Sequence, residues 1–112
     1  MLRTYETVYV SNPDTNQELL DAIDAKIKGF ITSSGGEVGY QDTWGVRNLS
    51  FPIKKQTKGK YNYLLYTAGS SAIKELEFYL KISEYVLTFL TVKVKDVADL
   101  ENTPKPDPKD LS

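Results

Sequence analysis

The chain has no cysteine and no histidine. Without thiols there are no disulfides, no thiolate nucleophile and no thiolate metal ligand. Without imidazole, the side chain best suited to acid–base work near neutral pH and the commonest zinc ligand are both missing. No apolar run approaches the roughly 20 residues of a membrane span. The opening Leu2–Val10 segment is too short and too polar for the apolar core of a signal peptide, so a cytoplasmic location is expected. The only adjacent glycines, Gly35 and Gly36, follow a helical pattern instead of opening one, so they do not form a phosphate loop. No nucleophile–base pair and no dinucleotide fingerprint is visible. An enzyme is not expected, nor a cofactor, a metal or a small-molecule substrate.

One more absence is local. From Thr43 to Lys74 there is no acidic residue, while Arg47, Lys54, Lys55, Lys58, Lys60 and Lys74 are basic. The chain carries 14 basic and 15 acidic residues in all, so a net charge of −1 conceals a +6 block and a −7 remainder. Such asymmetry points to a polyanionic partner. Lysines near a hairpin tip suit phosphate contacts, which position a protein on a nucleic acid without reading its sequence.

At 112 residues the chain is the size of one domain, with a single core and no room for a deep cavity. Arg3–Val10 alternates and is rich in Tyr, Thr and Val, the mark of a strand. Apolar bulk on both of its faces predicts a central strand. Ser11–Asp14 is a turn, and Thr15-x-x-Glu18 matches a capping box. Leu19, Leu20, Ile23, Ile27, Phe30 and Ile31 follow at helical spacing. Asp21 and Asp24 fit a solvated, dipole-matched helix face better than a metal pair. Gly35-Gly36 ends this helix.

Glu37–Ile53 reads as one long strand, bulged at Gly45, followed by a loop over 54–59 and a second strand over Lys60–Thr67. Ser70 or Ser71 caps a second helix, with Ile73, Leu76, Tyr79 and Leu80 facing inward. Val86–Val94 is the last strand. The order β-α-β-β-α-β predicts an α+β, ferredoxin-like fold: a four-stranded antiparallel sheet with two helices on one face. Right-handed crossovers place the first and third strands in the centre and the second and fourth at the edges. Trp44, Arg47, Leu49 and Phe51 then lie on a long edge strand, and such edges invite pairing with other chains. They are the candidate partner-protein contacts. After Lys95 the chain turns proline-rich and charged, so a domain over 1–95 and a disordered tail over 96–112 are expected.

Lys58-Gly59-Lys60-Tyr61-Asn62-Tyr63 partly matches the signature by which RNA-recognition modules present aromatics to stacked bases. A stand-alone single-stranded RNA-binding module acting through Tyr9, Tyr61 and Tyr63 is therefore an alternative.

A set of short motifs narrows the choice. Tyr5-Glu6-Thr7-Val8, Asn12-Pro13-Asp14, Gly35-Gly36-Glu37-Val38, Trp44-Gly45-Val46-Arg47, Leu49-Ser50-Phe51-Pro52-Ile53-Lys54-Lys55 and Val86-Leu87 occur in a fixed order. From about Leu2 to Val94 the chain resembles bacterial small-subunit ribosomal protein six. The resemblance implies a ferredoxin-like fold. It also implies a heterodimer with ribosomal protein eighteen of the small subunit, bound to the central domain of small-subunit ribosomal RNA during platform assembly. Arg47, Phe51 and Lys54 occupy the family's arginine, aromatic and lysine positions, and Arg3 a basic N-terminal one. The candidate RNA contacts are thus Arg3, Arg47, Lys54, Lys55, Lys58 and Lys60. The chain departs from the family where Ser50-Phe51 replaces Ala-Tyr, where Thr88 replaces an arginine and where Tyr85 replaces an acidic residue.

Overall fold

The computed structural model describes residues 2–94, and the expected 96–112 tail lies outside them. Six elements follow in the expected order: β1 (Leu2–Ser11), α1 (Gln17–Ser33), β2 (Glu37–Ile53), β3 (Gln56–Gly69), α2 (Ser70–Ile82) and β4 (Val86–Val94). The strands form one sheet in the order β2-β3-β1-β4, and every neighbouring pair is antiparallel. This is the ferredoxin-like arrangement, with β2 and β4 at the edges.

β1 is central because both of its faces are apolar. Tyr5 and Tyr9 point to the helices, and Val8 and Val10 point away. On the helix side, Ile23, Ile27 and Ile31 of α1 and Ala72, Leu76 and Leu80 of α2 pack on Tyr5, Tyr9, Leu64 and Tyr66. Ile73 and Tyr79, expected inside, are only partly buried at the rim of this core. Tyr66 stacks on Tyr5 with ring centres 6.0 Å apart. Its hydroxyl pairs with the buried Thr7 hydroxyl at 2.7 Å, so this phenol is satisfied inside the core. Asp21 and Asp24 serve the helix face. Asp24 pairs with Lys28 at 3.1 Å and accepts from the Gln41 amide at 2.7 Å, and Asp21 accepts from Gln17.

Both expected caps are corrected. The N-cap of α1 is Asn16, whose side chain accepts the Leu19 N–H at 2.8 Å. The turn closed by the Thr15 N–H on the Asn12 carbonyl carries Thr15 inward, so its side chain is buried instead of capping. α2 has no side-chain cap. Its N-cap is Gly69, and Ser70 is already helical. The Gly69 N–H donates to Ser34 Oγ, which ties the start of α2 to the end of α1.

The expected bulge is present: β2 slips register between Thr43 and Gly45, and Gly45 has φ +81°. The expected 54–59 loop is instead a two-residue turn, because β3 starts at Gln56. Lys54 and Lys55 both take left-handed backbone, at φ 49° and 69°. That pair of signs matches the twist of the flanking strands and closes a tight hairpin.

Candidate nucleic-acid and partner interface

The sheet face opposite the helices has a core of its own. Val8, Val10, Tyr61, Tyr63 and Leu87 are buried there, with Trp44, Leu49, Ile53 and Leu65 packed against them. The cluster contains no helix residue. Its cover comes from the β2–β3 hairpin, which bends over the end of β1. Gly59 permits the bend, since a Cβ at this position would stand 2.2 Å from Val10 Cγ1. Leu49 and Leu87 lie just beyond, 3.6 Å from the same point. As a result the hairpin tip reaches β4 at the far edge of the sheet, where Lys54 Nζ donates to the Val86 carbonyl at 2.9 Å.

Trp44 is the hinge of this face. The bulge at Gly45 turns its indole onto the sheet, parallel to Tyr63 at 5.4 Å and to Tyr61 at 6.4 Å. Arg47 lies with its guanidinium carbon 5.6 Å from the Trp44 ring centre, a cation–π contact that orients an otherwise exposed side chain. The Tyr63 hydroxyl donates to Glu6 Oε2 at 2.5 Å. Burial, and then the Glu6 carboxylate, push its pKa well above the ordinary phenol value, so it stays a donor.

The candidate residues divide into groups. Trp44 and Leu49 are partly buried in the second core, so they support the β2 edge instead of presenting themselves on it. Arg47 and Phe51 are exposed, Phe51 at 52%. Val46, which sequence reasoning missed, is exposed at 49%, on the strand face opposite Arg47. Its position next to the bulge was the available signal. Lys54 and Lys55 form the hairpin turn. Lys58 and Lys60 pair with Asn48 and Val46, whereas Arg47 pairs with the intervening Gly59. Alternation along the ribbon therefore puts these two lysines on the face opposite Arg47. Lys60 sits near Asp21 and Asp24 in a small polar groove between α1 and the sheet. Arg3 is remote. It pairs with Ala68, whereas Ser11 pairs with Lys60, so about 26 Å of strand separates Arg3 from the lysine ribbon at about 3.3 Å per residue.

The stand-alone reading needs exposed tyrosines, and the structure buries them. Tyr61 is 0% and Tyr63 5% exposed, both under Trp44, and Tyr9 belongs to the helix-side core. None of the three can take a stacked base without dismantling a core.

Comparison with known proteins agrees with the motifs. A family model described as Ribosomal protein S6 matches residues 4–93. The small ribosomal subunit protein bS6 of Syntrophobacter fumaroxidans is 38% identical over 100 residues, 89% of this chain and 68% of that one. The bS6 of Caulobacter vibrioides is also 38% identical over 100 residues, 89% of this chain and 79% of its own. The crystal structure of 30S ribosomal protein S6 from Thermotoga maritima shares the fold, with a TM-score of 0.77 at 20% identity, over 91% of this chain and 96% of that one. With its motifs, its sheet order and a family match over residues 4–93, this chain belongs to the ribosomal protein S6 family.

Proposed function

We propose that this chain is a structural constituent of the small ribosomal subunit that binds the central domain of small-subunit ribosomal RNA as a heterodimer with ribosomal protein eighteen. The observation that carries the reading is the family match over residues 4–93, nearly the whole described domain. The geometry supports a composite surface. β2 is an edge strand 17 residues long, with Val46 and Phe51 exposed and Arg47 held on Trp44. A partner can pair with this edge and cover these side chains. The basic residues are few and lie on different faces, so the chain alone binds RNA weakly. Each phosphate neutralised adds a little under one unit to the salt slope. Docking of a basic partner joins two modest surfaces into one strong one, and binding is cooperative. The role is structural and not enzymatic, and the site of action is the ribosome in the cytoplasm.

The test is titration of a central-domain ribosomal RNA fragment with this protein, with and without ribosomal protein eighteen, at two salt concentrations. Tight binding should require both proteins. Arg47→Glu should weaken the heterodimer or its RNA complex at least tenfold. Tight binding by the chain alone, or an Arg47→Glu variant with unchanged affinity for both, would overturn this assignment of the surface.

A further inference from the structure

Among the described residues Glu6 is the only acidic or basic side chain that is buried. It stands on β1, which is hydrogen-bonded to a strand on each side, and it shares the helix-free face with Val8 and Val10. Its carboxylate forms no ion pair, since the one such pair among the described residues is Lys28–Asp24. What it holds is the Tyr63 hydroxyl, which donates to Oε2. A buried carboxylate met by a neutral donor lowers stability, and an apolar side chain of similar size would make a more stable sheet. A feature kept against stability points to the site that this face carries.

Glu6 pairs with Leu65, and Val8 pairs with Tyr63, so the carboxylate and the phenol are diagonal neighbours on adjacent strands. The Tyr63 ring lies parallel to the Trp44 indole at 5.4 Å, and the indole holds the Arg47 guanidinium 5.6 Å from its centre. Glu6, Tyr63, Trp44 and Arg47 therefore form one lateral chain, from the central strand through β3 to the β2 edge. On the helix side, buried isoleucines and leucines close over the tyrosine rings. Tyr63 has no helix above it. It is flanked by Trp44, itself half-buried, and by Tyr40, set edge-on at 6.1 Å and 51% exposed. Cover of this kind leaves the tilt of the ring free, and the bond to β1 fixes it.

We propose that Glu6 is a positioning residue for the β2 docking edge: through Tyr63 and Trp44 it holds Arg47 in the orientation that meets the partner protein. The inference rests on the heterodimer reading above and adds to it a residue two strands away from the edge. A side chain already held in one orientation loses little freedom on docking, an advantage of about three- to tenfold in affinity.

The experiment measures affinity for ribosomal protein eighteen by calorimetric titration, with thermal unfolding and the emission of Trp44, the only tryptophan. It compares wild type, Glu6→Gln, the double variant Glu6→Leu with Tyr63→Phe, Arg47→Ala, and the double variant combined with Arg47→Ala. The double variant removes the buried charge together with its donor, so it should unfold at the wild-type temperature or above. It should nonetheless bind the partner about three- to tenfold more weakly and shift Trp44 emission. Glu6→Gln keeps an acceptor for the phenol and should keep the wild-type affinity. In the Arg47→Ala background the double variant should cause no further loss, because the chain acts through that side chain. A double variant that binds like wild type, or that loses as much without Arg47 as with it, overturns the inference. So does one that melts well below wild type, since the pair would then serve stability. Glu6→Gln as weak as the double variant overturns it too, by placing the charge itself against the partner. Arg47→Ala with unchanged affinity overturns the inference and the edge assignment but leaves the heterodimer standing. Wild type that fails to bind the partner overturns the functional reading as well.

Discussion

On one side of the sheet, two helices lay isoleucines and leucines over Tyr5, Tyr9 and Tyr66. On the other, the same strands expose Val8, Val10, Tyr61 and Tyr63 to no helix at all. There the cover is a single indole and a bent hairpin. The helix side is closed by elements that do little else, so its residues set stability. The hairpin side is closed by the segment that also carries the candidate contacts. Arg47 is aimed by Trp44, and Lys54 is placed by Val86. Packing and binding geometry are therefore separable on the first side and coupled on the second.

Alkali should break both sides together and have the largest effect. Burial pushes Tyr66 up to about 12, and Tyr9 and Tyr63 rise still further, mainly through burial. Below pH 10 folded and unfolded chains are equally protonated at these phenols, and stability is flat. Above pH 10 the unfolded chain loses protons that the folded chain keeps, so stability falls as pH climbs toward 12. Urea unfolding at pH 8, 10 and 11 checks this, and a midpoint unchanged at pH 11 would contradict the buried phenols. The next effect is confined to the helix side. Leu76→Ala should cost about 3 kcal/mol, leaving the domain folded and its affinity for RNA and partner intact. Gly59→Ala is the smaller perturbation, about 1–2 kcal/mol as Val10 and the hairpin give way. It should nonetheless red-shift Trp44 emission and weaken both RNA and partner binding. If Leu76→Ala harms binding more than Gly59→Ala does, the division between the two sides is wrong.

Much of this was legible in the chain. Alternation and helical spacing are local, so the six elements come in the expected order and the strand Val86–Val94 and the bulge at Gly45 stand where expected, whereas β3 begins four residues early because the hairpin turn is tight. Caps were less legible, because Thr15 and Asn16 are equally good capping residues and only the path of the preceding turn chooses between them. Tyr61 and Tyr63 look the same in sequence whether they stack on bases or on Trp44, and their burial decides the matter. Leu49 looks like a docking residue on any flat edge. On a bent one it is part of the floor.

The sequence by itself determined the fold class, through patterns with the periods of helix and strand. It also determined the family, through motifs in fixed order, and the segregation of charge. It could not determine where the hairpin tip comes to rest. Lys54 and Val86 lie at opposite edges of the sheet, yet a 2.9 Å hydrogen bond joins them. They come together because Gly59 has no side chain to hold the hairpin off Val10. That contact joins residues distant in the chain, and local pattern carries no record of it.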